Sequence, residues 1–283
     1  MNSTTSIFNK YYQPLSNETG GGSKANILDE IIAAKRKEIA LNKQFQPVSE
    51  LEQKPYFERT TLSLKKSLRE CSGIISEFKR RSPSKGIIND TATVASVVSG
   101  YDQNGASGIS ILTDTQFFGG SNNDLLEGRI VSSKPILRKD FIIDEYQIIE
   151  AKAIGADVIL LIAANLSPKE VKQLAAFAKS LRLEVLLELH AEEELGHMCD
   201  EVDLVGINNR NLKNFEVNLE QAVRLAAKLP ADKPKIAESG INSVETILYL
   251  RQQGFDGFLM GEYFMKHPDP AIAFANFVKQ LPW

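Results

Sequence analysis

The amino-acid sequence predicts an α/β protein folded as a closed (β/α)8 barrel, a TIM barrel, with an N-terminal helical extension. Three observations carry this prediction. From Gly73 onward, eight short runs rich in β-branched residues each precede a polar turn and a helical pattern. The runs are continuously apolar instead of alternating, as in parallel strands buried on both faces. They recur about every 26 residues, close to the minimum for a βα unit. An open, doubly wound sheet is the alternative. No G-x-G-x-x-G turn follows the first run, which favours the barrel.

The elements follow in order. Residues 1–25 are rich in Ser, Thr, Asn and Gly and read as a flexible leader. Residues 26–283 read as one barrel domain, including N-terminal helices over 26–72. Asn26 is an N-cap candidate. Ile27 to Leu41 is predicted helical, with Ile27, Leu28, Ile31, Ile32 and Ile39 on one face and Lys and Glu opposite. A shorter helix is predicted over Ser63 to Cys71. The strand candidates are GIISEF, GISIL, PIL, DVILLI, EVLLEL, DLVGI, KIAE and GFLM. Gly105, Gly155 and Gly254 each end a helix before a strand, spaced by 50 and 99 residues, or two and four βα units. Glycine there supplies a left-handed turn.

Composition excludes several classes of function. The chain has 283 residues, 33 Lys+Arg against 36 Asp+Glu, and a net charge of −3, so nucleic-acid binding through bulk positive charge is excluded. The longest strictly apolar run, Val158 to Ala164, is far short of the ~20 residues of a membrane span. The N-terminus lacks a secretory pattern. Cys71 and Cys199 stand in unrelated contexts and give no disulfide framework, zinc spacing or nucleophile at a strand end; a reducing, cytoplasmic setting is expected. With only His190, His197 and His267, no metal site is expected.

Active sites of such barrels form where strands end at their C-termini. Strand one ends with Glu77 and Lys79 on one side, strand three with Lys139 and Phe141 on one side. Strand five places Glu188 inside an apolar run, where a carboxylate needs a partner. Strand six ends Asn208-Asn209-Arg210, strand seven Glu238-Ser239-Gly240, strand eight Met260-Gly261-Glu262. Any one of these residues could be a solvated rim charge. Their convergence on one mouth points to a site in which opposite charges set acid and base roles apart. The loops after strands seven and eight, with Gly240 and Gly261, suit a phosphate cradle.

Taken together, ISEFKRRSPSKG, ILRKDFI, LLELH, GINNRNL and AESGI, in this order, resemble indole-3-glycerol phosphate synthases over about Ile27 to Gln280. The resemblance implies a decarboxylating ring closure without cofactor, in tryptophan biosynthesis. Its substrate would be 1-(2-carboxyphenylamino)-1-deoxyribulose 5-phosphate. It implies Lys139 as general acid at the C2′ carbonyl, and Lys79 as partner of the substrate carboxylate and acid in dehydration. Glu188 would assist removal of the hydroxyl or proton, and Glu77 and Asn208 would hold the lysines and substrate hydroxyls. Phe118, Phe141 and Leu212 would wall the anthranilate ring. Arg210, Ser239, Gly240 and Gly261 would contact the sugar phosphate, Glu238 would be a further substrate-binding residue, and Ser82 would lie in a closing loop. Where family members often have Ser after the strand-eight Gly, this chain has Glu262, whose side chain is expected to turn outward and leave only its backbone N–H. The partner implied is the small phosphosugar–anthranilate substrate, with no nucleic acid and no membrane. A monomer and contact with other tryptophan-pathway enzymes stay open.

Two other readings compete. A phosphoribosylanthranilate isomerase would place a Cys at the end of strand one, where this chain has Glu77 and Lys79. A catalytically silent phosphosugar-binding barrel would have no need of the full set Glu77, Lys79, Lys139 and Glu188.

Overall fold

The computed structural model of the chain describes residues 27–210 and 216–282. The expectations for the leader, Asn26 and Leu212 therefore lie outside the described residues. Eight parallel strands run β1 (Ile74–Phe78), β2 (Gly108–Leu112), β3 (Ile136–Lys139), β4 (Val158–Ile162), β5 (Glu184–Leu189), β6 (Leu204–Asn208), β7 (Lys235–Glu238) and β8 (Gly257–Met260). β1 pairs with both β2 and β8, so the sheet closes on itself and the open-sheet alternative falls.

The alternation along each strand explains its apolar composition. Val158, Leu160 and Ile162 point into the barrel, while Ile159 and Leu161 point outward to the surrounding helices. Both faces are buried, so both must be apolar.

Three helices precede the barrel: α1 (Ile27–Phe45), α2 (Val48–Leu51) and α3 (Leu64–Glu70). They close it at both ends. Leu64 and Leu68 of α3 join the interior cluster with Ile75, Leu186, Leu204 and Ile236, plugging the end where the strands begin. Ser63 caps α3 by accepting from the Lys66 N–H, and the Glu184 carboxylate accepts from the N–H groups of Leu64 and Lys65. At the opposite end, α1 lies against the strand C-termini. Its buried residues are Leu28, Ile31, Lys35 and Ile39. Lys35 corrects the expectation that lysines occupy the solvent face of this helix: it lies on the apolar stripe and is 1% exposed.

After β1 the outer helices are α4 (Val94–Gln103), α5 (Asn122–Val131), α6 (Glu145–Ala153), α7 (Pro168–Ser180), α8 (Leu219–Ala226), α9 (Val244–Gln252), α10 (Glu262–Met265) and α11 (Pro270–Val278). The β5–β6 connection departs from the predicted alternation, carrying a 3-10 turn at Glu192–His197 instead of an α-helix. There the Glu194 carboxylate accepts from the N–H groups of His190 and Ala191, which holds the chain in a tight turn. Gly105, Gly155 and Gly254 have φ of 87°, 93° and 84°, the left-handed turns their repeat predicts.

Candidate active site

A pocket opens at the C-terminal ends of the strands. Its polar groups are the ones the strand ends supply: Glu77, Lys79, Lys139, Glu188, Asn208, Arg210 and Glu238, with Ser82, Ser239, Gly261 and Glu262 around them. Phe118 and Phe141 form one wall, their ring centroids 6.0 Å apart. Residues far apart in the chain thus share one small bowl. Gly240 does not line it; it lies on the exposed turn beyond Ser239.

Parallel pairing fixes the geometry. Glu188 and Glu238 stand beside Gly206 and Asn208 in register, one on each side of β6. Both carboxylates reach the Lys139 ammonium, Glu188 Oε2 at 2.8 Å and Glu238 Oε2 at 2.7 Å. Close backbone approach makes this possible. A Cβ on Gly206 would lie 2.2 Å from Glu238 Oε1, and one on Gly261 would lie 2.5 Å from Glu77 Oε1. Gly261 therefore has a local reason to be glycine, the seating of Glu77. Glu77 in turn holds the Lys79 ammonium at 2.6 Å.

One cation between two buried carboxylates divides them. Glu188 also receives a hydrogen bond from Asn208 Nδ2 at 3.0 Å and lies 3.2 Å from His190 Nε2. Burial would raise its pKa, but Lys139 and then His190 and Asn208 hold it well below the usual carboxylate range. Glu238 has only Lys139, and its Oε1 finds no hydrogen-bond partner among the described residues. Burial, together with the Glu188 charge, pushes Glu238 up to about 7 against the pull of Lys139. For Lys139, burial alone would lower the pKa, but Glu188, Glu238 and Glu77 reverse that and the net shift is upward. For His190 burial lowers and Glu188 raises, with a net rise.

This division makes stability depend on pH. Unfolded, Glu238 ionises near 4.5; folded, it keeps its proton to about 7. Its contribution to stability is complete below the unfolded value and is lost as pH rises through the folded one. Glu238→Gln, which cannot ionise, should gain on the parent as pH rises from about 5 to about 8. Urea midpoints at the two pH values check this. A difference between variant and parent that is independent of pH would show that Glu238 does not keep its proton.

Several wall residues were not anticipated. α1 contributes Ile27, Leu28 and Ile31, and strands β2, β4 and β8 contribute Leu112, Leu160, Ile162 and Leu259 to the floor. In the sequence these are indistinguishable from core residues, since a helix stripe and a strand interior use the same side chains. Behind the pocket lies an equally unanticipated ionic cluster. Lys35 Nζ lies 3.0 Å from Asp114 and 2.9 Å from Asp140, the residue after Lys139. Arg138 binds Glu150 at 2.5 Å and Asp140 at 3.3 Å. Burial would raise Asp140, yet Lys35 and Arg138 bring it down to about 2.

The Glu262 side chain departs from expectation. Its carboxylate is not turned away from the mouth but lies 3.4 Å from Arg210 and 3.6 Å from Lys85. Beside it Ser239 adopts a left-handed φ of 68°, held by Asn209 Nδ2 donating to its carbonyl at 2.7 Å. A strained non-glycine residue at a pocket edge is a common sign of function. Among the described residues, no group of three or more His, Cys, Asp or Glu is placed to hold a metal. Among the same residues, no helix is long and apolar enough to cross a membrane.

The profile of the family described as indole-3-glycerol phosphate synthase matches residues 28–277. The chain belongs to the indole-3-glycerol phosphate synthase family. An indole-3-glycerol phosphate synthase of Bacteroides thetaiotaomicron is 48% identical over 257 residues, covering 90% of this chain and 99% of the relative. One from Bordetella pertussis is 38% identical over 259 residues, covering 89% and 99%. Among solved structures, the tryptophan synthase α-subunit of Pyrococcus furiosus superposes with a TM-score of 0.57 at 17% identity, covering 75% of this chain and 98% of that one. Thiamine phosphate pyrophosphorylase from the same organism gives 0.56 at 16%, covering 77% and 98%. These two likenesses bear on the barrel alone.

Proposed function

We propose that this pocket performs the family's ring closure with Lys139 as general acid, Lys79 and Glu188 as the dehydration pair, and Glu77, Asn208 and Glu238 as the groups that position them. As a member of the family the chain is an indole-3-glycerol phosphate synthase, a decarboxylating carbon–carbon lyase of tryptophan biosynthesis. The observation that carries the residue roles is the Lys139 ammonium, clamped between Glu188 and Glu238 in the pocket that Phe118 and Phe141 also line.

The chemistry follows from where charge appears. With the anthranilate ring against the two phenylalanines, the ring carbon bearing the carboxylate bonds to C2′. The carbonyl electrons move to oxygen, and Lys139 donates the proton that oxygen takes up. The upward shift of Lys139 keeps it charged until this moment. It releases the proton to the carbonyl oxygen as that oxygen becomes the stronger base. The ring carboxylate then leaves as CO₂, its bonding electrons restoring the aromatic ring. In dehydration, Glu188 removes a proton from the C1′ methylene while Lys79 protonates the departing hydroxyl, which leaves as water. Until CO₂ departs, Lys79 pairs with the substrate carboxylate. Arg210, Ser239 and Gly261 serve the phosphate end, and Ser82 the loop above it. Phosphosugar–anthranilate is the substrate in this reading, no cofactor takes part, and the two free cysteines accord with a cytoplasmic setting.

Lys79 provides the test. Lys79→Met should raise KM for the substrate by about 10-fold or more, the scale of a lost charge-assisted contact, but leave binding of a reduced substrate analogue lacking the ring carboxylate nearly unchanged. Indole absorbance follows turnover and calorimetry follows the analogue. Equal losses for both ligands would remove Lys79 from the carboxylate. Isomerisation of phosphoribosylanthranilate by the parent, without indole product, would remove the whole reading.

A further inference from the structure

The carboxylate at the mouth is out of place in a site that takes a phosphate dianion. Glu262, the first residue of α10, reaches two cations from different loops. Arg210 follows β6, with its backbone N–H accepted by Asn208 Oδ1 at 3.1 Å, and Lys85 lies in the loop after β1. One oxygen faces each cation, Oε2 toward Arg210 and Oε1 toward Lys85. Arg210 and Glu262 line the pocket, and Lys85 stands just outside it. The Glu262 side chain is 41% exposed and that of Lys85 51%. The Arg210 side chain is 21% exposed, and long, solvent-reached pairs of this kind are weak and are readily exchanged for a better anion.

We propose that Glu262 is an internal stand-in for the substrate phosphate: it occupies Arg210 and Lys85 in the free enzyme and yields both to the phosphate ester when substrate arrives. The inference rests on the assignment of Arg210 to the phosphate end. A carboxylate offers two acceptor oxygens and one negative charge; a phosphate ester offers three oxygens and nearly two charges, so it wins the exchange. While empty, the site keeps its cations paired and the β1 loop tethered to α10 through Lys85. The loop has other anchorages as well. Arg80 binds Asp124 at 2.6 Å, and Arg81 donates to the carbonyls of Thr115 and Gln116. Asn89, later in the same loop, donates to the carbonyls of Met265 at 3.0 Å and His267 at 3.3 Å, so Lys85 shares the tie between the loop and α10 with Asn89. Glu262 thus lowers affinity for any phosphate-bearing ligand, free phosphate included, and sets KM by competition from within the chain.

The experiment measures KM, kcat and the competitive inhibition constant of inorganic phosphate for the parent, Glu262→Gln, Glu262→Ser, Arg210→Gln and the Glu262→Gln/Arg210→Gln double variant. Removing the stand-in should lower KM and the phosphate inhibition constant together, on the order of 3- to 10-fold, and steepen the rise of KM with salt. In the Arg210→Gln background the same change should have a much smaller effect, because the competition has lost one of its cations. A KM or phosphate inhibition constant that stays level or rises in both Glu262 variants overturns the proposal, since the carboxylate would then be a brace that holds the cations in place. If the parent is not inhibited competitively by phosphate, and Arg210→Gln leaves KM unchanged, the phosphate assignment itself is wrong and the proposal falls with it. Competition in the parent with level values in the Glu262 variants sinks the stand-in alone.

Discussion

Lys139→Met is expected to lower kcat by about 10²- to 10⁴-fold, the contribution of a positioned general acid. Methionine matches the length of the lysine stem without its charge, so the loss should fall on chemistry. The fold should tolerate the change because the two carboxylates are not equivalent. Glu238 already holds its proton to about 7, so removal of the ammonium strands one charge, that of Glu188, and His190 and Asn208 remain beside it. Indole absorbance under saturating substrate gives the rate, and a thermal melt confirms the folded state. Turnover within about 10-fold of the parent would take the acid role away from Lys139.

Lys35→Met should cost about 3–5 kcal/mol of stability, the penalty for leaving buried charge without its partner. Lys35 sits among Asp114, Asp140 and Glu38, where burial alone would lower its pKa and the three carboxylates together raise it. Once it is gone, Asp140 keeps Arg138, but Asp114 loses its ion pair with Lys35 and must rely on the N–H groups of Phe117 and Phe118. The loss should reach catalysis as well. Lys35 pins α1 to the residue beside Lys139, and α1 carries Ile27, Leu28 and Ile31 into the pocket wall. Urea unfolding measures the first effect and KM the second. A variant as stable as the parent would mean that the cluster is solvated in solution.

The barrel was legible because parallel strands buried on both faces leave uninterrupted apolar runs, and all eight such runs became strands. The polar site was legible for a related reason. A charge at the end of a buried strand has few places to go, and Glu77, Lys79, Lys139, Glu188 and Asn208 each go to the pocket. Lys35 was not legible. Its helix shows a lysine among many, and the two aspartates that bury it lie far along the chain, in loops after β2 and β3. Pairing across that separation leaves no periodic trace. The β5–β6 connection was misread because its glutamate-rich stretch has helical composition, while Glu194 closes a turn too tight for an α-helix. Glu262 was misplaced because charge repulsion toward a phosphate was weighed without the two cations that the fold brings to it.

Ile74, Ile75 and Ser76 of the first strand bond to Phe258, Leu259 and Met260 of the last. A nascent polypeptide still on the ribosome therefore holds Lys139 and Glu188 long before it holds Gly261, against which Glu77 is seated. Enzymatic competence arrives only once β8 and Gly261 have been synthesised, and translation products that stop before Gly257 should be inert.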